Sequence, residues 1–163
     1  MKTAQKTIRL PDAVDKAFGD MARAQKMEPA DLMADVLSEF ALKEGNLGKE
    51  DNQQVRAETK LKKTARELAQ KICAESFEPN VTLRVFQRLQ KDPELRTLYE
   101  KTIGADGKVR GNHTKARINR ALGSIIKVAV GGTARTEEGN RVSIQVNDEF
   151  IFNYTPLMPT GTN

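Results

Sequence analysis

The chain has 163 residues, 38% hydrophobic and 30% charged, with six Phe, two Tyr and no Trp, so any single core is thin and aliphatic. One cysteine, Cys73, excludes an internal disulfide, and the absence of a leader or of a run of about 18 apolar residues points to a cytoplasmic protein with no membrane association. The net charge of +5 suits a polyanionic partner.

That charge is unevenly distributed. Residues 1–50 carry eight Lys/Arg against nine Asp/Glu, and the remainder carries nineteen against thirteen. Six cations, Lys108, Arg110, Lys115, Arg117, Arg120 and Lys127, follow one another with no acid between them, which makes this stretch the strongest basic segment in the chain.

In chain order, Gln5 to Leu10 alternates with period two and stops at Pro11-Asp12, which predicts a short strand handing over to a helix. Val14, Ala17, Phe18, Met21 and Ala22 then recur at spacings of three and four, one face of a helix that Met27-Glu28-Pro29 interrupts. Pro29 suits the first position of a second helix, whose apolar face is Leu32, Met33, Val36, Leu37, Phe40 and Ala41 and which Gly45 ends. The polar, glycine-bearing stretch 45–57 reads as a linker, because it has little apolar surface to offset its ordering entropy.

Helical spacing returns at Leu61, Ala65, Leu68 and Ile72, and again from Val81 to Leu89. Asp92-Pro93 marks the start of another helix, with Leu95, Leu98, Tyr99 and Ile103 buried and Gly104 as its stop. After the loop, Thr114 is the expected cap of a helix through Ile118, Leu122, Ile125 and Ile126, on which Arg117, Arg120 and Lys127 fall mostly away from the apolar stripe. Gly131-Gly132 ends it. Val142, Ile144 and Val146 alternate, as do Phe150, Phe152 and Tyr154, so a hairpin turning at Asn147-Asp148 is predicted, with a third strand within 128–136 and a turn at Glu137 to Asn140. The expected units are residues 1–44, the linker 45–57, an α+β domain 58–156 and a flexible tail 157–163.

One strand and two amphipathic helices cannot close a core alone, so residues 1–44 require a second copy. This order and alternation over about the first 45 residues resembles the ribbon-helix-helix family, which includes the Arc and methionine repressors. The resemblance implies a homodimer whose paired strands enter the major groove of double-stranded DNA. Matched residue by residue, it places Gln5, Thr7 and Arg9 outward as base contacts and Ile8 and Leu10 inward. With Phe18, Leu32, Val36, Leu37 and Phe40 these form the dimer core. Arg, Gln and Thr each have side-chain chemistry suited to base edges.

Helices followed by a hairpin, with a basic helix before it, is also the order of a winged-helix-like reader. On that reading Lys108, Arg110, Lys115, Arg117, Arg120 and Lys127 meet phosphates, and Asn119 and Arg120 reach inward. The bland alternatives are a solvated basic face or a surface for further oligomerisation. His113 is the only histidine and has no metal-ligand spacing around it, so it reads as a surface loop residue. Gly104, Gly107 and Gly111 are too dispersed for a phosphate loop, and Cys73 reads as packing. No catalytic constellation, metal site or cofactor motif is evident. The expectation is a dimeric, sequence-specific DNA-binding protein, a transcriptional repressor or a plasmid or phage DNA-accessory factor. The alternative is a dimerised protein-binding module, an antitoxin or an inhibitor of a nucleic-acid enzyme, engaging its partner through the C-terminal domain.

Overall fold

Proline, glycine and apolar spacing punctuate the helices much as the chemistry of those residues requires. A computed structural model of the chain describes residues 7–161. They form six helices, α1 (Asp12–Ala24), α2 (Pro29–Glu44), α3 (Lys49–Ile72), α4 (Val81–Lys91), α5 (Pro93–Ile103) and α6 (His113–Ala129). Six short strands follow, β1 (Gly132–Ala134), β2 (Thr136–Glu137), β3 (Asn140–Arg141), β4 (Ile144–Gln145), β5 (Asn153–Tyr154) and β6 (Leu157–Pro159). The class is α+β-like, mostly helical with small antiparallel hairpins at the end. The chain separates into two compact units, 1–56 and 57–163.

In the first unit α1 ends in a left-handed cap. Lys26 has φ 51°, its N–H donates to Arg23 O at 3.1 Å, and the Met27 N–H donates to Ala22 O at 2.9 Å. This pairing satisfies the last carbonyls of the helix and tucks Met27 under Ala22, the usual accompaniment of such a cap. Pro29 then opens α2 and Gly45, at φ 70°, closes it. Among its described residues the buried side chains are Ala22, Met27 and Leu32, with Phe18 packed partly against them.

The expected N-terminal strand is not formed among the described residues. Thr7 to Leu10 precede α1 without regular secondary structure, while Gln5 lies outside the described residues. The physical reason is direct: a ribbon strand draws its hydrogen-bond partners from a second chain, and one chain offers none. The stretch expected as a linker also differs, since α3 begins at Lys49. Its first two turns are polar but rich in good helix formers, and Gly48 O receives the Asn52 N–H at 2.8 Å.

The second unit is built on Leu61 and Ala65 of α3, Val85 and Phe86 of α4, Tyr99 of α5 and Leu122 of α6, all buried. Asp92 caps α5, accepting from the N–H groups of Glu94 and Leu95 at 2.9 and 3.1 Å. Asn112, and not Thr114, caps α6, its Oδ1 accepting from the Lys115 N–H at 2.8 Å, so His113 is the first helical residue and is exposed. The N-cap position tolerates either residue type, and the earlier one is used.

The C-terminal segment is a set of two-stranded pieces. β2 and β3 pair across Glu138-Gly139, both at positive φ, the conformation of a tight type I′ turn. The predicted hairpin exists as β4 with β5, in the register Ile144↔Tyr154 and Gln145↔Asn153, but its loop is long. Phe150 and Ile151 leave the ladder and turn inward, where the Phe150 N–H donates to Gln90 Oε1 at 3.1 Å and its carbonyl accepts from Asn119 at 3.3 Å. The expected one-face alternation therefore fails: Phe150 and Tyr154 are buried while Phe152 is exposed. The expected third strand is β1, but its partner is β6, drawn from the stretch expected as a flexible tail. Leu157 is buried, and its N–H donates to Pro79 O at 2.8 Å.

Candidate nucleic-acid interface

Helix α6 presents two faces of opposite character. Ile118, Leu122, Ile125, Ile126 and Ala129 face the core. Ala116, Arg120, Gly123, Ser124 and Lys127, spaced by four, three, one and three residues, share the outer side and line one wall of a cleft of about 630 Å³. Arg141 of β3 and Asn153 of β5 stand on the strand side, and Ile151 and Leu157 are among the apolar lining residues. Three cations and no carboxylate line this cleft. Arg120, Lys127 and Arg141 have no ion pair among the described residues, so their charge is not neutralised internally.

The six cations of the basic segment are thus separated by the fold. Arg120 and Lys127 reach the cleft. Arg110 is exposed with its guanidinium 5.0 Å from the Phe152 ring centroid, beside a second recess that shares Phe152 and Asn153 with the cleft. Lys108 is exposed, 3.8 Å from Asp148.

Two of the expected phosphate contacts are otherwise engaged. Lys115 is only 3% exposed: its ammonium donates to Val109 O at 2.9 Å and lies 4.5 Å from the Phe152 centroid. Burial pulls its pKa below the usual lysine value. Arg117 forms a two-pronged pair with Glu58, Nη1 to Oε1 at 2.9 Å and Nη2 to Oε2 at 2.7 Å. Desolvation alone would raise the Glu58 carboxyl, but the hydrogen bonds from Arg117 and Lys62 override it and hold the pKa at about 2. Lys115 and Arg117 therefore spend their polar groups on internal partners, which leaves Lys108, Arg110, Arg120 and Lys127 as the exposed cations of the six, with Arg141 beside the last two in the cleft.

Asn119 does turn inward, as expected, yet its partners are internal. It accepts the Tyr99 hydroxyl at 2.6 Å and donates to Phe150 O, while Tyr99 stacks on Phe150 with centroids 4.6 Å apart. This arrangement fixes the loop before β5, and with it the strand side of the cleft.

In the first unit, Thr7 and Arg9 are exposed, as are Ile8, Val36, Leu37 and Phe40, whereas Leu10 and Phe18 are half-buried and Leu32 is buried. The expected dimer core is therefore in large part an uncovered apolar surface in one chain. The amino end of α2 carries Glu28 and Asp31, and Glu28 makes no capping hydrogen bond. Negative charge there opposes an anion at the helix start.

Among the described residues no group of His, Cys, Asp and Glu is placed to hold a metal ion, and no helix is long and apolar enough to cross a membrane. Comparison of the chain with known protein families, curated proteins and solved structures finds no match.

Proposed function

We propose that the protein is a homodimeric, sequence-reading DNA-binding protein, a transcriptional repressor or an accessory factor at plasmid or phage DNA. The observation that carries this reading is the uncovered apolar surface of the first unit. Leu37 is 54% and Phe40 61% exposed, with Val14, Met21 and Val36 also exposed, while among the described residues of the unit only Ala22, Met27 and Leu32 are buried. Three buried side chains cannot offset the ordering cost of two helices. A second copy is the occupant that chemistry favours, because a two-fold axis would set the apolar face of each chain against the same face of the other.

Such pairing also accounts for residues 7–10. Their backbone groups gain an antiparallel partner from the other chain, which leaves Thr7 and Arg9 outward for base edges and turns Ile8 toward the apolar face. The exposed cations of the second unit outside the cleft, Lys108 and Arg110 among them, add salt-dependent affinity for phosphates.

The test is binding of the full chain to the DNA upstream of its own gene and to scrambled DNA of equal length, at two salt concentrations, with sedimentation to establish the dimer. A preference of about 10³-fold or more is expected. A stable dimer without DNA affinity would instead favour the protein-binding module, an antitoxin or an enzyme inhibitor.

A further inference from the structure

The cleft beside α6 has more than the attributes of a phosphate-binding surface. Its cations are spread out: Arg120 and Lys127 are seven residues apart on one helix, about 10 Å along the axis, with Arg141 supplied from β3. That spacing suits phosphates of one strand that are separated by one or two others, since even in a duplex a strand advances by about 3.4 Å per phosphate. Between the cations, Ile151 and Leu157 contribute apolar surface and Asn153 contributes a side-chain amide. A volume of about 630 Å³ falls within the range of about 300–1,000 Å³ that binds small organic groups.

From this combination we infer that the cleft is a binding site for single-stranded nucleic acid, with phosphates on Arg120, Lys127 and Arg141 and unpaired bases against the apolar lining. A duplex keeps its base faces stacked away from protein and gains nothing from apolar walls. An unpaired strand gains by burying those faces. Phe152, 39% exposed, lines the same cleft, and an electropositive groove with an aromatic beside it is the usual means of holding a strand without reading its sequence.

Gly123 supplies an independent argument. Glycine weakens a helix interior, and here no packing requires it: a Cβ at this position meets nothing within 4 Å. The bare backbone instead lets a strand lie close to α6 between Arg120 and Lys127. The site belongs to the second unit alone, so it stands or falls separately from the dimer and its ribbon.

Fluorescence anisotropy of the full chain with a labelled oligothymidine, competed by scrambled duplex of equal length, tests the inference. Single strand is expected to bind about 10-fold or more tightly than scrambled duplex. Gly123→Glu, which fits the open space and places a carboxylate between the two cations, should weaken strand binding by at least about 10-fold while the melting temperature holds or rises, because glutamate favours a helix interior more than glycine does. Arg141→Ala should weaken it several-fold and make the salt dependence shallower by about 0.7, the slope of one single-strand phosphate contact. Lys101→Ala, an exposed cation on α5, should leave it unaltered. No strand binding would overturn the proposal, as would Gly123→Glu leaving strand binding intact. Equal loss of strand and duplex in Gly123→Glu would make the cleft a duplex surface and overturn it equally. Retained preference for the upstream duplex in a variant that has lost strand binding would show that the two sites are separate.

Discussion

Arg117 of α6 holds Glu58 of α3 through both guanidinium nitrogens, at 2.9 and 2.7 Å, and Lys62, one turn on, adds a third contact at 2.9 Å. Glu58 is 7% exposed, so this carboxylate is removed from water and is tolerated only because both its oxygens are satisfied. The contact ties the helix that presents the cleft to the helix behind it.

Acid should release that tie in a defined window. Glu58 titrates near 4.5 when exposed in the unfolded chain and at about 2 in the folded one, so between these values the unfolded state binds more protons. The stabilisation is complete above about pH 5 and is lost as pH falls toward 2. Glu58→Gln should cost on the order of 2–3 kcal/mol at pH 7, and the gap to wild type should close on acidification. Urea unfolding of both proteins at pH 7, 4 and 3 checks this. A gap that stays constant would mean that the carboxylate charge contributes nothing.

Gly107 is held to its identity by an aromatic ring. A Cβ at this position would lie 2.1 Å from Cε1 of Phe150, whose ring is fully buried and stacked on Tyr99. Gly107→Ala should therefore destabilise by at least about 2 kcal/mol, the upper range for overpacking. Because one ring carries the clash, Gly107→Ala combined with Phe150→Leu should cost less than the sum of the single changes. Additive losses in denaturant unfolding would place the strain elsewhere.

How far the sequence revealed these features depended on whether the deciding interaction was local. α2 and α5 have the expected limits because Pro29, Pro93, Gly45 and Gly104 act on their own backbone. The start of α3 was hidden, since its polar first turns show no apolar stripe. Lys115 was legible in principle: Ile118 and Leu122 lie three and seven residues on, which places it on the buried side of α6. Arg141 was not, because only the pairing of β2 with β3 and the packing of the strand segment beside α6 bring it to Arg120. The pairing of Leu157–Pro159 with β1 was hidden for the same reason, being an interaction between segments more than twenty residues apart.

Lys26 marks a position where the local conformation and the residue disagree. Its φ of 51° lies in the left-handed region, disfavoured for residues with a Cβ, and no side-chain hydrogen bond or ion pair of Lys26 offsets that cost among the described residues. Lys26→Gly keeps the cap between α1 and α2 and should stabilise the first unit by about 0.5–1 kcal/mol. Lys26→Val should destabilise it by more. Thermal unfolding of the three proteins, at one protein concentration to hold any dimerisation constant, distinguishes these outcomes.

The apolar surface of α2 yields the sharpest separation of dimerisation from DNA recognition. Leu37 is 54% exposed in the single chain, so Leu37→Glu removes little packing within one chain but places a charge in the proposed two-fold contact. The variant should sediment as a monomer at concentrations where wild type is a dimer, and it should lose preference for the upstream DNA with it, because a ribbon needs both strands. Arg9→Ala should behave differently, remaining dimeric while losing about 1–3 kcal/mol of discrimination if the guanidinium pairs with guanine. A monomeric Leu37→Glu that keeps full sequence preference would remove the ribbon from recognition and leave the basic second unit to account for DNA binding. Dimeric Leu37→Glu would place the contact between copies on another surface.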